Sequence, residues 1–334
     1  MYSSTLAQNS KLFAVAPMMD WTDRHCRYFH RLLSRHALLY TEMVVADALI
    51  HGDVPRHLDF DQCEHPVALQ IGGSEPEKLV KAAKIGAQWG YDEINLNVGC
   101  PSDRVQSGAF GACLMQEPEL VAQCVGAMKE AVDIPVTVKC RIGVDDQDPV
   151  PALDEMAKGI FAEGCDGLWV HARKAWLQGL SPKENRDVPP LNYDRVRHLK
   201  RDFSNHFIGI NGGLDSLNQA LPFLDELDGV MLGRAAYHNA SLLLDVDRQV
   251  YQAKQVPITL EALCEAMMAY TAIHLARGGK AIHVTRHMIG LFHGKRGARR
   301  YRQILSIEAC KPDADERVIE EAFQAVLNWD EVAA

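Results

Sequence analysis

Glu93-Ile-Asn-Leu-Asn-Val-Gly-Cys-Pro101 is a short apolar strand that stops at two amides, Asn95 and Asn97, and runs straight into a Gly-Cys-Pro turn. Gly99 frees the backbone there and Pro101 fixes the next φ, so Cys100 is expected to face outward rather than pack. Gly108 and Gly111 follow, small hinges suited to a lid. A lone cysteine is usually a small core hydrophobe. One set between amides, a proline and a glycine-hinged loop at a strand end is better placed to react.

The same grammar recurs outward from this stretch. Short apolar runs at Phe13–Ala16, Leu38–Tyr40, Val67–Gln70, Glu93–Asn97, Val136–Lys139, Gly167–His171, Phe207–Asn211 and Gly229–Gly233 are each followed by a turn and a helical pattern. Segments such as Pro76–Trp89 and Pro118–Val132 carry apolar residues at helical spacing. Continuous apolar strands alternating with helices imply a parallel sheet covered on both faces, and eight such units in 240 or so residues imply a (β/α)8 TIM barrel. Each run also ends on polar or special residues. They are Pro17-Met18-Met19-Asp20-Trp21, Thr41-Glu42-Met43, Gln70, Asn95 with Asn97, Lys139 with Arg141, His171 with Arg173, Asn211-Gly212-Gly213 and Gly233-Arg234. A doubly wound sheet would show this at one crevice, whereas a barrel shows it around the whole rim.

From Pro257 onward the strand signal stops. Helical spacing over Leu260–Leu275, Ile282–Leu291, Ala298–Ile307 and Arg317–Leu327 predicts a small all-α bundle. The expected domains are a barrel over 1–250 and a helical domain over 251–334, with the junction between Asp247 and Pro257.

The 334-residue chain has a net charge of −9, which taken alone argues against a polyanionic partner, but the charge is unevenly distributed. Ala266–Ile307 holds no Asp or Glu but eight basic residues, leaving 27 basic against 44 acidic residues and −17 elsewhere. Such polarity repels polyanions from most of the surface and draws them to one place. Nine cysteines without regular spacing argue against a disulfide framework and for a reducing cytoplasm. A short polar start and the lack of any apolar run near ~20 residues predict a cytoplasmic protein with no membrane association. His283 and His287 stand four apart, as a zinc pair would, but no acidic ligand is near in sequence, so no metal is expected.

At the barrel rim, Asn211-Gly212-Gly213 and Gly233-Arg234 suit a phosphate, because glycines let backbone N–H groups approach an anion. Lys139 could stabilise negative charge on a reduced flavin, Gln70 could bond its uracil-like edge, and Pro17-Met18-Met19 could pack on its ring. Lys139 could instead form a Schiff base, and His171 could be purely structural.

The Ala-Pro17-Met-Met19-Asp-Trp-Thr-Asp start, the Asn-Val-Gly-Cys100-Pro segment, Val-Lys139-Cys-Arg141-Ile-Gly, His171-Ala-Arg-Lys and Ile-Asn211-Gly-Gly213 together resemble the flavin-dependent tRNA-dihydrouridine synthases over nearly the whole chain. The run from His171 to Arg186 resembles the A subfamily, whose members act on U20 and U20a of the D-loop. Cys140 stands where a threonine is common, which leaves the flanking charges in place. The resemblance implies FMN held by Pro17, Met18, Met19, Gln70, Lys139, His171, Asn211, Gly212, Gly213, Gly233 and Arg234. NADPH or NADH would reduce the FMN and leave. Hydride would then pass from N5 to C6 of the uracil and Cys100 would protonate C5, with Asn97 and Arg141 holding the base. Lys183, Arg186, Arg299 and Arg302 would hold the tRNA, from which the uridine must be extruded. A monomer is expected. Rival expectations are a flavin barrel acting on a free pyrimidine, similar to the dihydroorotate dehydrogenases, a catalytically idle tRNA-binding module, and an aldolase using Lys139.

Overall fold

The computed structural model describes residues 11–102 and 108–331. Its strands are β1 (Leu12–Val15), β2 (Leu38–Tyr40), β3 (Val44–Val45), β4 (Val67–Gly72), β5 (Glu93–Val98), β6 (Val136–Arg141), β7 (Gly167–His171), β8 (Ile208–Asn211) and β9 (Gly229–Leu232). All pair in parallel. β1 bonds to both β2 and β9, and β2 bonds to β4, which closes an eight-stranded barrel. β3 continues the line of β2 and sets Val44 opposite Ile71 at the end of β4. The sequence did not predict β3, since two residues carry no periodicity.

Side-chain alternation turns Glu93, Asn95 and Asn97 of β5 to one face, and likewise Thr137, Lys139 and Arg141 of β6. Trp169 of β7 is fully buried. A Cβ at Gly209 would lie 2.2 Å from its indole and one at Gly229 2.7 Å, so these bare positions on β8 and β9 make room for the ring. Burying an indole is worth roughly 4 kcal/mol.

Three barrel helices, Pro76–Trp89, Pro118–Ala131 and Pro149–Ala162, begin with proline, whose fixed φ suits a first helical turn and whose missing N–H costs nothing there. Asp148 caps the third by accepting from the backbone N–H of Val150. That helix buries Leu153, Met156, Ala157 and Ile160, one stripe at helical spacing.

The chain divides into two compact units. One comprises the chain up to Asp20 and Leu38–Gly233, and the other comprises Trp21–Ala37 and everything from Arg234 onward. The helix Arg24–Leu33 falls in the second unit because it packs with sequence distant along the chain. Asp23 caps that helix through the N–H groups of His25 and Cys26, and its carboxylate also takes Arg286 at 2.6 Å and His287 at 3.0 Å. Burial works to raise the pKa of Asp23, but the bonds from His287 and Cys26 hold it below the usual carboxylate range. Ser34 donates to Asp247 at 2.5 Å and Tyr28 stacks on Tyr270. Such pairings span over 200 residues and leave no local signature.

In the second unit, Leu260–Ala276, Ala298–Ser306 and Arg317–Glu331 are helices as expected. The helix expected over 282–291 is only Ala281–Thr285. Beyond it His287, Met288, Leu291, His293 and Lys295 bond three residues back, as in successive tight turns. A Cβ at Gly290 would meet the carbonyl of Tyr237 at 2.4 Å, and Gly294 and Gly297 have left-handed φ of 76°. Among the described residues no helix is long and apolar enough to cross a membrane, and the nine cysteines are all free.

Candidate active site at the barrel mouth

β5 delivers Asn97 to the rim, where it shapes the turn that follows. Its Oδ1 accepts the backbone N–H of Gly99 at 3.2 Å and of Cys100 at 3.0 Å. The carbonyl of Cys100 in turn accepts from Ala112 at 2.9 Å, where the chain returns through Gly111 at φ 74°. Cys100 is partly exposed, with Sγ 3.5 Å from the hydroxyl of Ser102. Residues 103–107, most of the expected lid, lie outside the described residues.

Gln70 of β4 is almost fully buried and held at both ends of its amide. Nε2 donates to Asn95 at 2.8 Å and Oε1 accepts from Nδ2 of Asn97 at 2.8 Å. Each of the two amides has one further N–H hydrogen that these bonds do not use. Below them Asn95 donates to Thr137 at 2.7 Å, Thr137 donates to Glu93, and Tyr40 donates to Glu93 at 2.5 Å.

β6 brings two cations to the same rim. Lys139 donates to Oδ1 of Asn211 at 3.1 Å, and Asn211 donates to the carbonyl of Met231 at 2.8 Å. Burial, reinforced by the charge on Arg141, pulls the pKa of Lys139 down to about 8. Arg141 gives Nε to the carbonyl of Gly99 at 3.2 Å and Nη1 to those of Lys174 and Asn185 at 3.1 and 2.8 Å. Among the described residues Nη2 meets no acceptor. Burial lowers its pKa to about 10.

His171 faces Arg141 and Asn211 on the neighbouring strands. Burial, then the charges of Arg141 and Lys139, hold its pKa well below 6.5, so the ring is neutral. Its Nε2 is buried without a hydrogen-bond partner. Gly212, at φ 106°, lies so close that a Cβ would come within 2.5 Å of the imidazole. Gly213 also has left-handed φ, and the hydroxyl of Tyr193 donates to the carbonyl of Gly212 at 2.8 Å. Across the rim Met18 is buried, Met19 is 54% exposed, and a Cβ on Gly233 would lie 3.5 Å from Sδ of Met18. Arg234 opens the helix Arg234–His238 and belongs to the second unit.

Lys183 and Arg186 bracket a 3-10 turn, Glu184–Arg186, in which residues three apart eclipse and so share a side. Fully buried Asn185 pins this loop. Its side chain bonds the N–H and C=O of Trp176, and its carbonyl takes Arg141. In the second unit Arg299 and Arg302 are exposed on the helix Ala298–Ser306, which buries Ala298, Tyr301, Ile304 and Leu305. Two of the eight basic residues of that stretch are spoken for, Arg286 by Asp23 and Arg300 by Glu308. Among the described residues no group of three or more His, Cys, Asp or Glu could hold a metal.

Thus Gln70, Asn97, Cys100, Lys139, Arg141, His171, Asn211 and Gly212 form one bonded or touching set. The roles of Asn185, Thr137 and Glu93 went unread in the sequence. The polar alternation Glu93, Asn95, Asn97 inside an apolar strand was the available signal for the last.

A family model for dihydrouridine synthase (Dus) matches residues 14–327. The chain is 56% identical over 316 residues to the tRNA-dihydrouridine(20/20a) synthase of Shewanella oneidensis, covering 95% of this chain and 94% of that one. It is 54% identical over 317 residues to the enzyme of the same name from Escherichia coli K12, covering 95% and 92%. For that of Vibrio cholerae the figures are 54% over 314 residues, 94% and 96%. With a matching family model over most of its length and relatives above half identity, the chain belongs to the dihydrouridine synthase family.

Proposed function

We propose that this enzyme reduces the C5=C6 bond of uridine to dihydrouridine in the D-loop of tRNA, at U20 and U20a, using FMN at the barrel mouth and NADPH as reductant. The names of the relatives support the reaction and the positions. The observation that carries the site is the thiol of Cys100 on a turn fixed by Asn97, with Arg141 bonded to that turn and the half-buried ammonium of Lys139 on the neighbouring strand.

The residues present fit an anionic, hydrogen-bonding cofactor. An unpartnered buried imidazole nitrogen, an ammonium depressed by burial and a glycine pair at φ 106° and 67° each gain from such a ligand. Lys139, His171, Gln70, Asn211, Gly212, Gly213 and Gly233 would hold FMN, with Arg234 at its phosphate and Pro17, Met18 and Met19 against its ring. Bound and reduced, FMN supplies the hydride for C6 of the uracil. Cys100 holds the proton destined for C5 at Sγ. The free N–H of Asn97 and Nη2 of Arg141 orient the base and stabilise charge on its O4 side. Lys183 and Arg186 on the barrel unit, with Arg299 and Arg302 on the helical unit, grip tRNA phosphates. A monomer in the cytoplasm is the setting this implies.

Purified protein with a flavin spectrum that NADPH bleaches, and that unmodified tRNA restores faster than buffer, is the expected result. A flavin indifferent to tRNA, or a protein that takes up no FMN, would overturn the proposal.

A further inference from the structure

Beneath the mouth lies a polar chain in what is otherwise an apolar core. Tyr40, Glu93, Asn95, Thr137 and Gln70 are each at most 1% exposed, and Asn97 is 7% exposed. Glu93, Asn95 and Asn97 are alternate residues of β5, and register sets Asn95 between Gln70 and Thr137 on the flanking strands.

The direction of every bond in this chain follows from its two ends. Tyr40 and Thr137 both donate their hydroxyl protons to Oε1 of Glu93. Thr137 can then only accept from Asn95, at 2.7 Å. That turns Oδ1 of Asn95 toward Nε2 of Gln70 and Oε1 of Gln70 toward Nδ2 of Asn97, both at 2.8 Å. Oδ1 of Asn97 is left for the backbone N–H groups of Gly99 and Cys100. A flip of any one amide would set donor against donor at one side and acceptor against acceptor at the other. Away from water neither conflict has relief, so orientation passes from link to link.

We propose that Glu93 and Thr137 are positioning residues for Cys100. From deep in the barrel they fix, through Asn95, Gln70 and Asn97, the turn that presents the thiol and the single N–H that each of Gln70 and Asn97 turns to a ligand. Neither residue touches the mouth. Their effect on uridine reduction rests on the function proposed above, whereas their hold on the turn does not.

Thr137→Val keeps the shape of the side chain and removes both of its hydrogen bonds, and Thr137→Ser restores them. Amide hydrogen exchange at Gly99 and Cys100 should quicken roughly tenfold in Thr137→Val, the scale of one lost buried hydrogen bond. Exchange in β7 and β8 should stay as in the parent, and Thr137→Ser should return the turn to parental protection. In flavin-loaded enzyme, reoxidation by tRNA should slow about tenfold while reduction by NADPH stays within about twofold. Asn95→Ala cuts the chain one link nearer the mouth and must give the same pattern should Thr137→Val not fold. A folded Thr137→Val or Asn95→Ala whose Gly99 and Cys100 amides exchange as in the parent would overturn the proposal. Exchange is read with or without flavin, so a protein that never binds FMN would defeat the proposed function and still decide this one.

Discussion

The backbone N–H of Cys100 donates to Oδ1 of Asn97 at 3.0 Å, so the last inward amide of β5 holds the turn on which the thiol stands. Asn97→Ala removes that acceptor and the bond to Gln70 together. The expected result is a loss of about 1–3 kcal/mol in stability by denaturant unfolding. Dihydrouridine formation should fall at least about tenfold, since a small displacement of an acid from its target is costly.

Cys100 is the proposed acid for C5. Cys100→Ala should lower turnover on tRNA by about 10²–10⁴-fold, the usual worth of a placed proton donor. Stopped-flow reduction of the flavin by NADPH should be unaffected, and the melting temperature should hold, because Cys100 is only partly buried.

Lys139 connects pH to both binding and stability. Its pKa in the folded protein is about 8 against an ordinary 10.5, so the fold disfavours the charged form. Between these values the unfolded chain binds the extra proton, and this residue's contribution to stability therefore rises with pH across that window. Below about 8 its cost is in full force. Lys139→Met should accordingly stabilise the flavin-free protein at neutral pH by about 1–3 kcal/mol, read as a few degrees in Tm. FMN affinity of the parent should fall as pH rises through 8 and above, and that of Lys139→Met should be weak and flat.

Gly212 abuts the His171 imidazole at a φ of 106°. Gly212→Ala should cost about 1–3 kcal/mol through strain and displacement of the ring. It should also weaken FMN binding measured by fluorescence titration, whereas an alanine at exposed Gly179, where nothing lies within 4 Å, costs only its own left-handed strain at φ 83°.

Arg299 and Arg302 are exposed and pair with no carboxylate among the described residues. Replacing both by alanine should weaken tRNA binding and flatten the log Kd against log salt plot by about two units of slope. Tm and the flavin spectrum should stay unchanged.

The barrel was legible because its signal is local. Leu38–Tyr40 and Gly167–His171 match their strands end to end, and the polar rim followed from what stood after each apolar run. Two things were not local. The helix Arg24–Leu33 groups with sequence beyond Arg234 through Asp23, Ser34 and Tyr28, partners that periodicity cannot announce. The interior chain below Gln70 also escaped, since Glu93 and Thr137 look like ordinary strand-start residues until register brings them together. Arg141 carries a further lesson. Its charge was plain in the sequence, but the share of it spent on the carbonyls of Gly99, Lys174 and Asn185 was not.

The most direct test is to incubate purified enzyme, FMN and NADPH with tRNA made without modifications, and to map dihydrouridine by mass spectrometry of the D-loop fragment. Dihydrouridine at positions 20 and 20a with the parent and almost none with Cys100→Ala is the expected outcome. Unchanged uridine with a flavin-loaded, NADPH-reducible parent would contradict the assignment of the barrel mouth.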